Sequence, residues 1–276
     1  MYEEHWQLNG RPFENSVGKG SAYYPAECHQ AALLKLIYAI ENRRGLALLC
    51  GQTGVGKSLI VQLLRTRLPE NSSPLITVSY PALNPTELVR YIAQSLNPAE
   101  ETRTYIDTAD AVLSIQNSLR RFVEQGRHPV LVFEEAHLME SYSGLETARL
   151  LLNLLSDESE GESVWTMIFS GLPTLLAQVN RYQPLDERLA VKCVLSPFTA
   201  DETTSYIQHR VRCCGGDAER IFTRDAIDSI HVLSGGIPRR INRLGDLALM
   251  LAFAEDRQQI NTEVIEGVQA DLLPIA

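Results

Sequence analysis

The feature that most constrains the fold is the stretch from Gly51 to Ser58 (GQTGVGKS), which fits the pattern G-x-x-x-x-G-K-[ST] in full. A mainly apolar run at residues 46–50 precedes it, and a helical pattern follows from Lys57. The glycines of such a loop turn backbone N–H groups inward around phosphate oxygens, and the helix that follows points its positive end at the same anion. The stretch therefore predicts a phosphate-binding loop between a strand and a helix.

Further apolar runs place this loop in a parallel sheet. Short runs that are apolar on both faces and alternate with helical patterns are typical of buried parallel strands. The predicted strands are 46–50, 75–79, 130–133, 164–170 and, more weakly, 191–195. The predicted helices of this region are 29–42, 57–67, 85–96, 108–125 and 144–157.

The pattern changes after residues 196 and 197, because only helical patterns follow. These predicted helices are 200–213, 224–233, 238–254 and 262–272. Asp201 and Thr223 are the predicted N-terminal caps of the first two, and Gly235 with Gly236 is a predicted helix stop. We therefore predict an α/β core over residues 1–196, with an N-terminal segment at 1–28, and a small all-helical domain over residues 197–276.

The residue types of the loop predict contacts with a nucleoside triphosphate and Mg²⁺. Lys57 is expected to reach the β- and γ-phosphates, and the Ser58 hydroxyl is expected to ligate the metal. The predicted nucleotide contacts in this stretch are Gly51, Gln52, Thr53, Gly54, Val55, Gly56, Lys57, Ser58 and Leu59. ATP with Mg²⁺ is therefore the predicted ligand.

Two carboxylates, Glu134 and Glu135, end the predicted strand at 130–133. Beside a phosphate-binding loop, one such carboxylate usually holds Mg²⁺ and a second polarises the attacking water. We assign Glu134 to the metal and Glu135 to the water; the alternative is a solvated pair at a strand end. The first position is normally Asp, and the longer Glu134 predicts a metal held through a rearranged water or slow hydrolysis. His137 is expected to be a surface or packing residue, since no second His or Cys stands at ligand spacing.

Composition narrows the class of protein further. The 276 residues are 45% apolar and carry a net charge of −9, which is typical of a globular chain and argues against a broad basic face for nucleic acid. The five cysteines form no CxxC pair, and no signal peptide is recognisable, so we expect reduced thiols and a cytoplasmic location. The longest clean apolar run, at 247–254, is far shorter than the roughly 20 residues of a spanning helix.

Several stretches outside the loop resemble one family, the AAA+ ATPases of the general secretion pathway protein A (ExeA) type. They are the opening Tyr2 to Phe13 (YEEHWQLNGRPF), Tyr23 to Ala32 (YYPAECHQAA), Arg149 to Asn153 (RLLLN) and Ser234 to Asn242 (SGGIPRRIN). The resemblance runs from Tyr2 to about Ile260. It implies a three-layer P-loop NTPase core with a parallel sheet, followed by a small helical lid.

The resemblance also implies an oligomeric ATPase that helps to assemble secretion machinery across the cell envelope. Such enzymes complete their sites with arginines, one of them from a neighbouring subunit. Arg181 and Arg188 are the candidates, and we assign Arg188 as the finger; a salt bridge to Asp186 or Glu187 is the alternative. Arg239, in the segment that resembles the lid motif, is expected to reach the γ-phosphate.

Two departures from the family pattern predict weak or tightly regulated hydrolysis. The family usually has Gly-Gln-Pro after the fourth strand, where this chain has Gly171, Leu172 and Pro173, and Ser170 is a possible substitute for the missing glutamine. The other departure is Glu134. Three hypotheses remain: a hydrolysing ATPase of an envelope system, a DNA-binding regulator of the transposition-ATPase type, and a nucleotide-gated scaffold. The net charge does not favour the DNA-binding regulator.

Overall fold

The computed structural model describes residues 2–14, 23–69, 71–97, 107–139, 143–155 and 162–272. Its contacts divide the chain into two compact units. The α/β unit comprises Cys28–Thr53 and Lys57–Leu195, and the helical unit comprises Met1–Glu27, Gly54–Gly56 and Ser196–Ala276. The strands are β1 Leu46–Gly51, β2 Leu75–Val78, β3 Val130–Phe133, β4 Thr166–Gly171 and β5 Leu189–Leu195.

Thirteen helices, numbered along the described part of the chain, accompany these strands. They are α1 Tyr2–His5, α2 Glu27–Glu41, α3 Lys57–Arg67, α4 Pro85–Leu96, α5 Thr108–Glu124, α6 Ser143–Leu152, α7 Pro173–Arg181, α8 Gln183–Asp186, α9 Ala200–Cys213, α10 Ala218–Ile221, α11 Arg224–Ser234, α12 Pro238–Ala254 and α13 Thr262–Leu272. A single 3₁₀ turn at Ala136–Leu138 follows β3.

The α/β unit is built on a five-stranded parallel sheet with the order β2-β3-β4-β1-β5. Every residue of β1, β3 and β4 is buried, which explains why these strands are apolar on both faces. Phe133 of β3 and Phe169 of β4 meet edge to face, with ring centroids 5.2 Å apart. The predicted class of fold, a parallel α/β core followed by a helical part, is confirmed.

The predicted helix at 144–157 ends early, at Leu152. Leu155 has a φ of 61°, a left-handed conformation that a helix cannot continue through, and residues 156 and 157 lie outside the described ranges. Four short helices, α1, α7, α8 and α10, were not predicted. Each has nine residues or fewer, too few for a periodic pattern to be distinguished from a loop.

The helix caps of the helical unit agree with the prediction in two of three places. Thr223 caps α11 through its hydroxyl, and Gly235 ends that helix at φ 59°. The prediction of Asp201 as a cap was wrong. Thr199 caps α9 instead, because its backbone is extended and its side chain accepts from Glu202 N while Glu202 bonds back to Thr199 N.

The N-terminal segment belongs to the helical unit, whereas the sequence interpretation placed residues 1–28 with the core. Tyr2 Oη donates to Asp246 Oδ1 at 2.5 Å, and Trp6 Nε1 donates to Leu249 O at 3.1 Å. Phe13 lies so close to Gly245 that a Cβ there would come within 2.9 Å of three of its ring atoms. This segment therefore forms part of the apolar interior beside α12. The sequence does not predict this packing, because the segment and α12 are far apart along the chain.

Candidate functional site

The loop between β1 and α3 has the backbone that phosphate binding requires. β1 ends at Gly51 and α3 begins at Lys57, so the loop joins a buried strand to the positive end of a helix. Gly54 has a φ of 86° and Gly56 a φ of 107°, conformations that other residues rarely adopt. These two glycines are the positions where the loop geometry demands glycine.

Lys57 is buried to 8% exposure, although it is a lysine in the first turn of a helix. Its ammonium donates to Gly51 O at 2.9 Å and to Gln52 O at 3.1 Å, so the side chain folds back over the loop. Ser58, the next residue, is exposed. The ammonium therefore lies against the same backbone whose N–H groups would surround a phosphate, and the hydroxyl is accessible to a metal ion.

Glu134 and Glu135 follow β3 directly, at the carboxyl edge of the sheet. Because all five strands are parallel, this is also the edge where β1 ends and the loop begins. Glu134 N donates to Val78 O at 3.0 Å, which fixes the backbone at this point, and its side chain is partly buried. Glu135 is in the left-handed region, with a φ of 49° and a ψ of 38°, and its side chain is 50% exposed. Hydroxyl and carboxylate oxygens of this kind suit Mg²⁺.

His137, which the sequence predicts to be a surface or packing residue, is partly buried and contacts two parts of the candidate site. Its Nδ1 lies 3.4 Å from Glu135 Oε2, and it accepts a hydrogen bond from Leu172 N at 3.5 Å. Ser170, the possible substitute for the family's glutamine, is buried on β4 opposite Leu49. The only signal for this contact in the sequence is that His137 stands two residues after Glu135. That spacing brings the His137 side chain to the Glu135 carboxylate only if the chain turns between them.

The two candidate finger arginines are exposed side chains of the α/β unit. Arg181 ends α7, and Arg188 lies between α8 and β5. The carboxylates expected to compete for Arg188 have other partners, since Asp186 pairs with Lys192 at 2.7 Å and Glu187 accepts from Gln183. Within the described ranges, neither guanidinium forms an ion pair.

Arg239 stands in the first turn of α12, directly after Pro238. Its backbone N donates to Gly54 O at 3.2 Å, and a Cβ on Gly54 would come within 2.9 Å of Arg239 Cβ. Both residues belong to the helical unit, which takes in Gly54–Gly56 of the loop. The side chain of Arg239 is exposed.

None of the five cysteines forms a disulfide, and burial raises the pKa of Cys50 and of Cys193 to about 11. Across the described residues, no group of three or more His, Cys, Asp and Glu side chains is arranged to hold a metal ion. The loop and the carboxyl edge of the sheet are therefore the candidate site.

Fold and site together define the class of protein. The family described as AAA domain matches residues 40–179, half of the chain, and the chain belongs to this family. The region matched includes the loop and both glutamates. The chain is an AAA+ protein.

A curated relative supports the resemblance to one type of AAA+ ATPase. The chain is 30% identical over 269 residues to general secretion pathway protein A of Aeromonas hydrophila, covering 94% of this chain and 46% of that protein. The predicted resemblance to the ExeA type is thereby confirmed. The chain spans about half the length of this relative.

Solved structures show the same fold at low identity. Cdc6p of Pyrobaculum aerophilum matches with a TM-score of 0.70 and 17% identity, over 95% of this chain and 71% of that one. The Orc1 protein of Aeropyrum pernix, solved in complex with DNA, matches with a TM-score of 0.65 and 14% identity, over 95% and 68% of the two chains. None of the described helices is long and apolar enough to cross a membrane.

Proposed function

We propose that the chain binds ATP with Mg²⁺ and hydrolyses it. The observation that carries this proposal is the loop itself, in which two left-handed glycines join β1 to α3 and Lys57 folds over the backbone. A turn without a function would not need a buried lysine beside two glycines at positive φ. The pair Glu134 and Glu135, at the carboxyl edge of the same parallel sheet, supplies the acidic groups that hydrolysis needs.

Each residue then has a distinct part in the reaction. Lys57 exchanges its bonds to Gly51 O and Gln52 O for phosphate oxygens, with the loop N–H groups around the same anion. Ser58 and Glu134 would hold Mg²⁺, which neutralises charge on the phosphates when bound. Glu135 orients the attacking water and accepts its proton, and its exposed carboxylate is accessible to water.

We further propose that the active form is an oligomer of this chain and that it serves the assembly of a secretion or cell-envelope system. The oligomer is supported by Arg188, which is exposed and has no carboxylate partner among the described residues. The process is supported by the relative that is named as a general secretion pathway protein. A net charge of −9 gives no support to DNA as the partner.

The test is a pair of variants measured for nucleotide binding and for phosphate release. Lys57→Ala should weaken ATP binding in calorimetry and abolish turnover, because it removes the positive charge while leaving the loop backbone in place. Glu135→Gln should bind ATP as well as the unchanged protein but hydrolyse it slowly. Lys35→Ala, at an exposed site on α2, is the matched control and should alter neither. Unchanged ATP affinity in Lys57→Ala would remove the proposed site, and binding without any phosphate release would make the protein a nucleotide-gated scaffold.

A further inference from the structure

His137 lies where two parts of the candidate site meet. It is in the 3₁₀ turn that follows β3, and its side chain is only 15% exposed. Leu172 N, at the end of β4, donates to His137 Nδ1 at 3.5 Å. Glu135 Oε2 lies 3.4 Å from the same nitrogen. One ring nitrogen thus contacts both the proposed catalytic carboxylate and the main chain of the neighbouring strand end.

The chemistry of imidazole prevents both contacts from being hydrogen bonds at once. To accept from Leu172 N–H, the Nδ1 atom must present its lone pair, and it then repels the carboxylate. To donate to Glu135, Nδ1 must carry the hydrogen, and it can then accept nothing from Leu172. Nδ1 can therefore make only one of the two hydrogen bonds at a time, either to the carboxylate or to the end of β4.

The packing of β4 against the turn leaves the His137 ring little room to move away from either partner. A Cβ on Gly171 would come within 3.2 Å of His137 N and 3.3 Å of its Nδ1, so β4 meets the turn as closely as a glycine permits. Leu172 is also the residue before α7 and contributes no side-chain cap to it. A small movement of the junction between β4 and α7 would then make or break the bond to Nδ1.

We propose that His137 is a positioning residue for Glu135, and that it couples the carboxylate to the β4–α7 junction. When Nδ1 accepts from Leu172, the neutral ring carries its hydrogen on Nε2 and gives Glu135 no hydrogen bond, so the carboxylate is not oriented. When the junction moves away, the ring releases the Nε2 proton to solvent and takes one up at Nδ1, and Nδ1–H then binds Glu135 and orients it toward the attacking water. The proposal rests on the proposed function, because Glu135 is taken as the group that orients water.

Three substitutions at position 137 separate positioning from packing. Asn places its amide where Nδ1 lies and can both donate and accept, whereas Gln places its amide near the position of Nε2, and Leu retains bulk without polarity. We expect His137→Asn to retain kcat within about threefold, and His137→Gln and His137→Leu to lose about tenfold, the effect of a lost hydrogen bond to a charged group. KM and the affinity for ATP should be unchanged in all three. An Asn variant as slow as the Leu variant would overturn the proposal, as would a loss expressed in KM.

A measurement that needs no turnover tests the same contact. In protein labelled with ¹⁵N at histidine, the His137 ring resonances are those that vanish in His137→Asn. The Nδ1 resonance should shift when Glu135→Gln removes the carboxylate charge, and it should not shift in Glu146→Gln, whose carboxylate pairs with Arg149 instead. An Nδ1 resonance that is indifferent to Glu135→Gln would refute the coupling.

The two proposals fail in different ways. If the protein binds no ATP, or if binding survives Lys57→Ala, the proposed function falls while the resonance experiment still reports on His137. If Lys57 and Glu135 behave as proposed but the three variants at position 137 have equal rates, only the role of His137 falls.

Discussion

The hydroxyl of Tyr2 donates to the carboxylate of Asp246 across 244 positions of sequence, and the two oxygens are 2.5 Å apart. Tyr2 is buried, and burial together with the Asp246 carboxylate raises the pKa of this phenol well above its usual range. The hydroxyl therefore stays protonated, and remains a donor, through alkaline pH. The first turn of the chain is thus bonded to the middle of α12 inside one compact unit.

Removing this donor should destabilise the helical unit. Tyr2→Phe keeps the ring in place and leaves Asp246, which is partly exposed, to be solvated by water, so we expect a loss of about 1–2 kcal/mol in the free energy of unfolding. Chemical denaturation followed by circular dichroism measures it. Tyr38→Phe, at an exposed tyrosine of α2, is the control and should cost almost nothing. Equal stabilities for the two variants would show that the Tyr2 bond contributes nothing.

The α/β unit should lose stability in mild acid through His128. This residue is buried, and burial lowers the pKa of its imidazole to about 4. The Thr166 hydroxyl donates its hydrogen to Arg44 O. The hydroxyl oxygen therefore accepts from His128 Nε2, so the neutral imidazole carries its hydrogen on Nε2. The unfolded chain takes up a proton near pH 6.5, and the native state does so only near pH 4.

Because the native pKa is the lower one, the contribution of His128 is complete above pH 6.5 and disappears as the pH falls through 4. We expect a loss of about 3 kcal/mol over that range from this one residue. His128→Gln, whose amide can still donate to Thr166 but does not titrate, should flatten this part of the pH profile. A profile identical to that of the unchanged protein would mean that other groups govern the acid response.

Shortening the first glutamate should favour metal binding. Glu134→Asp restores the usual side-chain length at this position, and the bond from Glu134 N to Val78 O holds the backbone where it is. We expect a severalfold gain in turnover or in affinity for Mg²⁺, measured by titrating the metal against phosphate release. Glu134→Gln should instead lose the metal dependence. If Glu134→Asp changes neither quantity, the longer carboxylate has its own working geometry.

Mixing variants should separate the roles of Arg188 and Arg239. If Arg188 acts on the site of a neighbour, a subunit with an intact loop can borrow it from a Lys57→Ala subunit, so Arg188→Ala mixed with Lys57→Ala should regain activity. Arginines supplied in trans are worth roughly 10³–10⁵ in other systems, and we expect less from a slow enzyme. Arg239→Ala mixed with Lys57→Ala should regain none, since each defect disables its own subunit. Equal rescue in both mixtures, with co-assembly confirmed, would contradict these roles.

Elements governed by local chemistry were predictable from the sequence. The loop glycines, the buried strands and the cap at Thr223 all follow from residue types within a few positions of one another. Asp201 failed as a cap because Ser, Thr, Asp and Asn compete for that role, and only the backbone shows that Thr199 is the extended residue.

Long-range partners were not predictable. Nothing near Tyr2 or Phe13 in the sequence points to Asp246 or Gly245, and so the N-terminal segment was assigned to the core. The contacts of His137 were not predictable for a similar reason, because one of them is with Leu172, which lies 35 positions away at the end of the adjacent strand. Side-chain roles that depend on two strand ends meeting cannot be read from either strand alone.

The hydrogen bond from Tyr2 to Asp246 can form only after a long stretch of the chain has been synthesised. At about 5–20 residues per second, a ribosome needs roughly 12–49 s to travel the 244 positions between them. For nearly all of that interval Tyr2, Trp6 and Phe13 have no α12 to pack against, and the last strand of the sheet, β5, is complete before α12 begins. Tyr2, Trp6 and Phe13 are thus synthesised long before α12 and reach their final positions only after it. Translation speed, more than the stability of the finished protein, then governs how long this apolar segment stays open to chaperones and to aggregation.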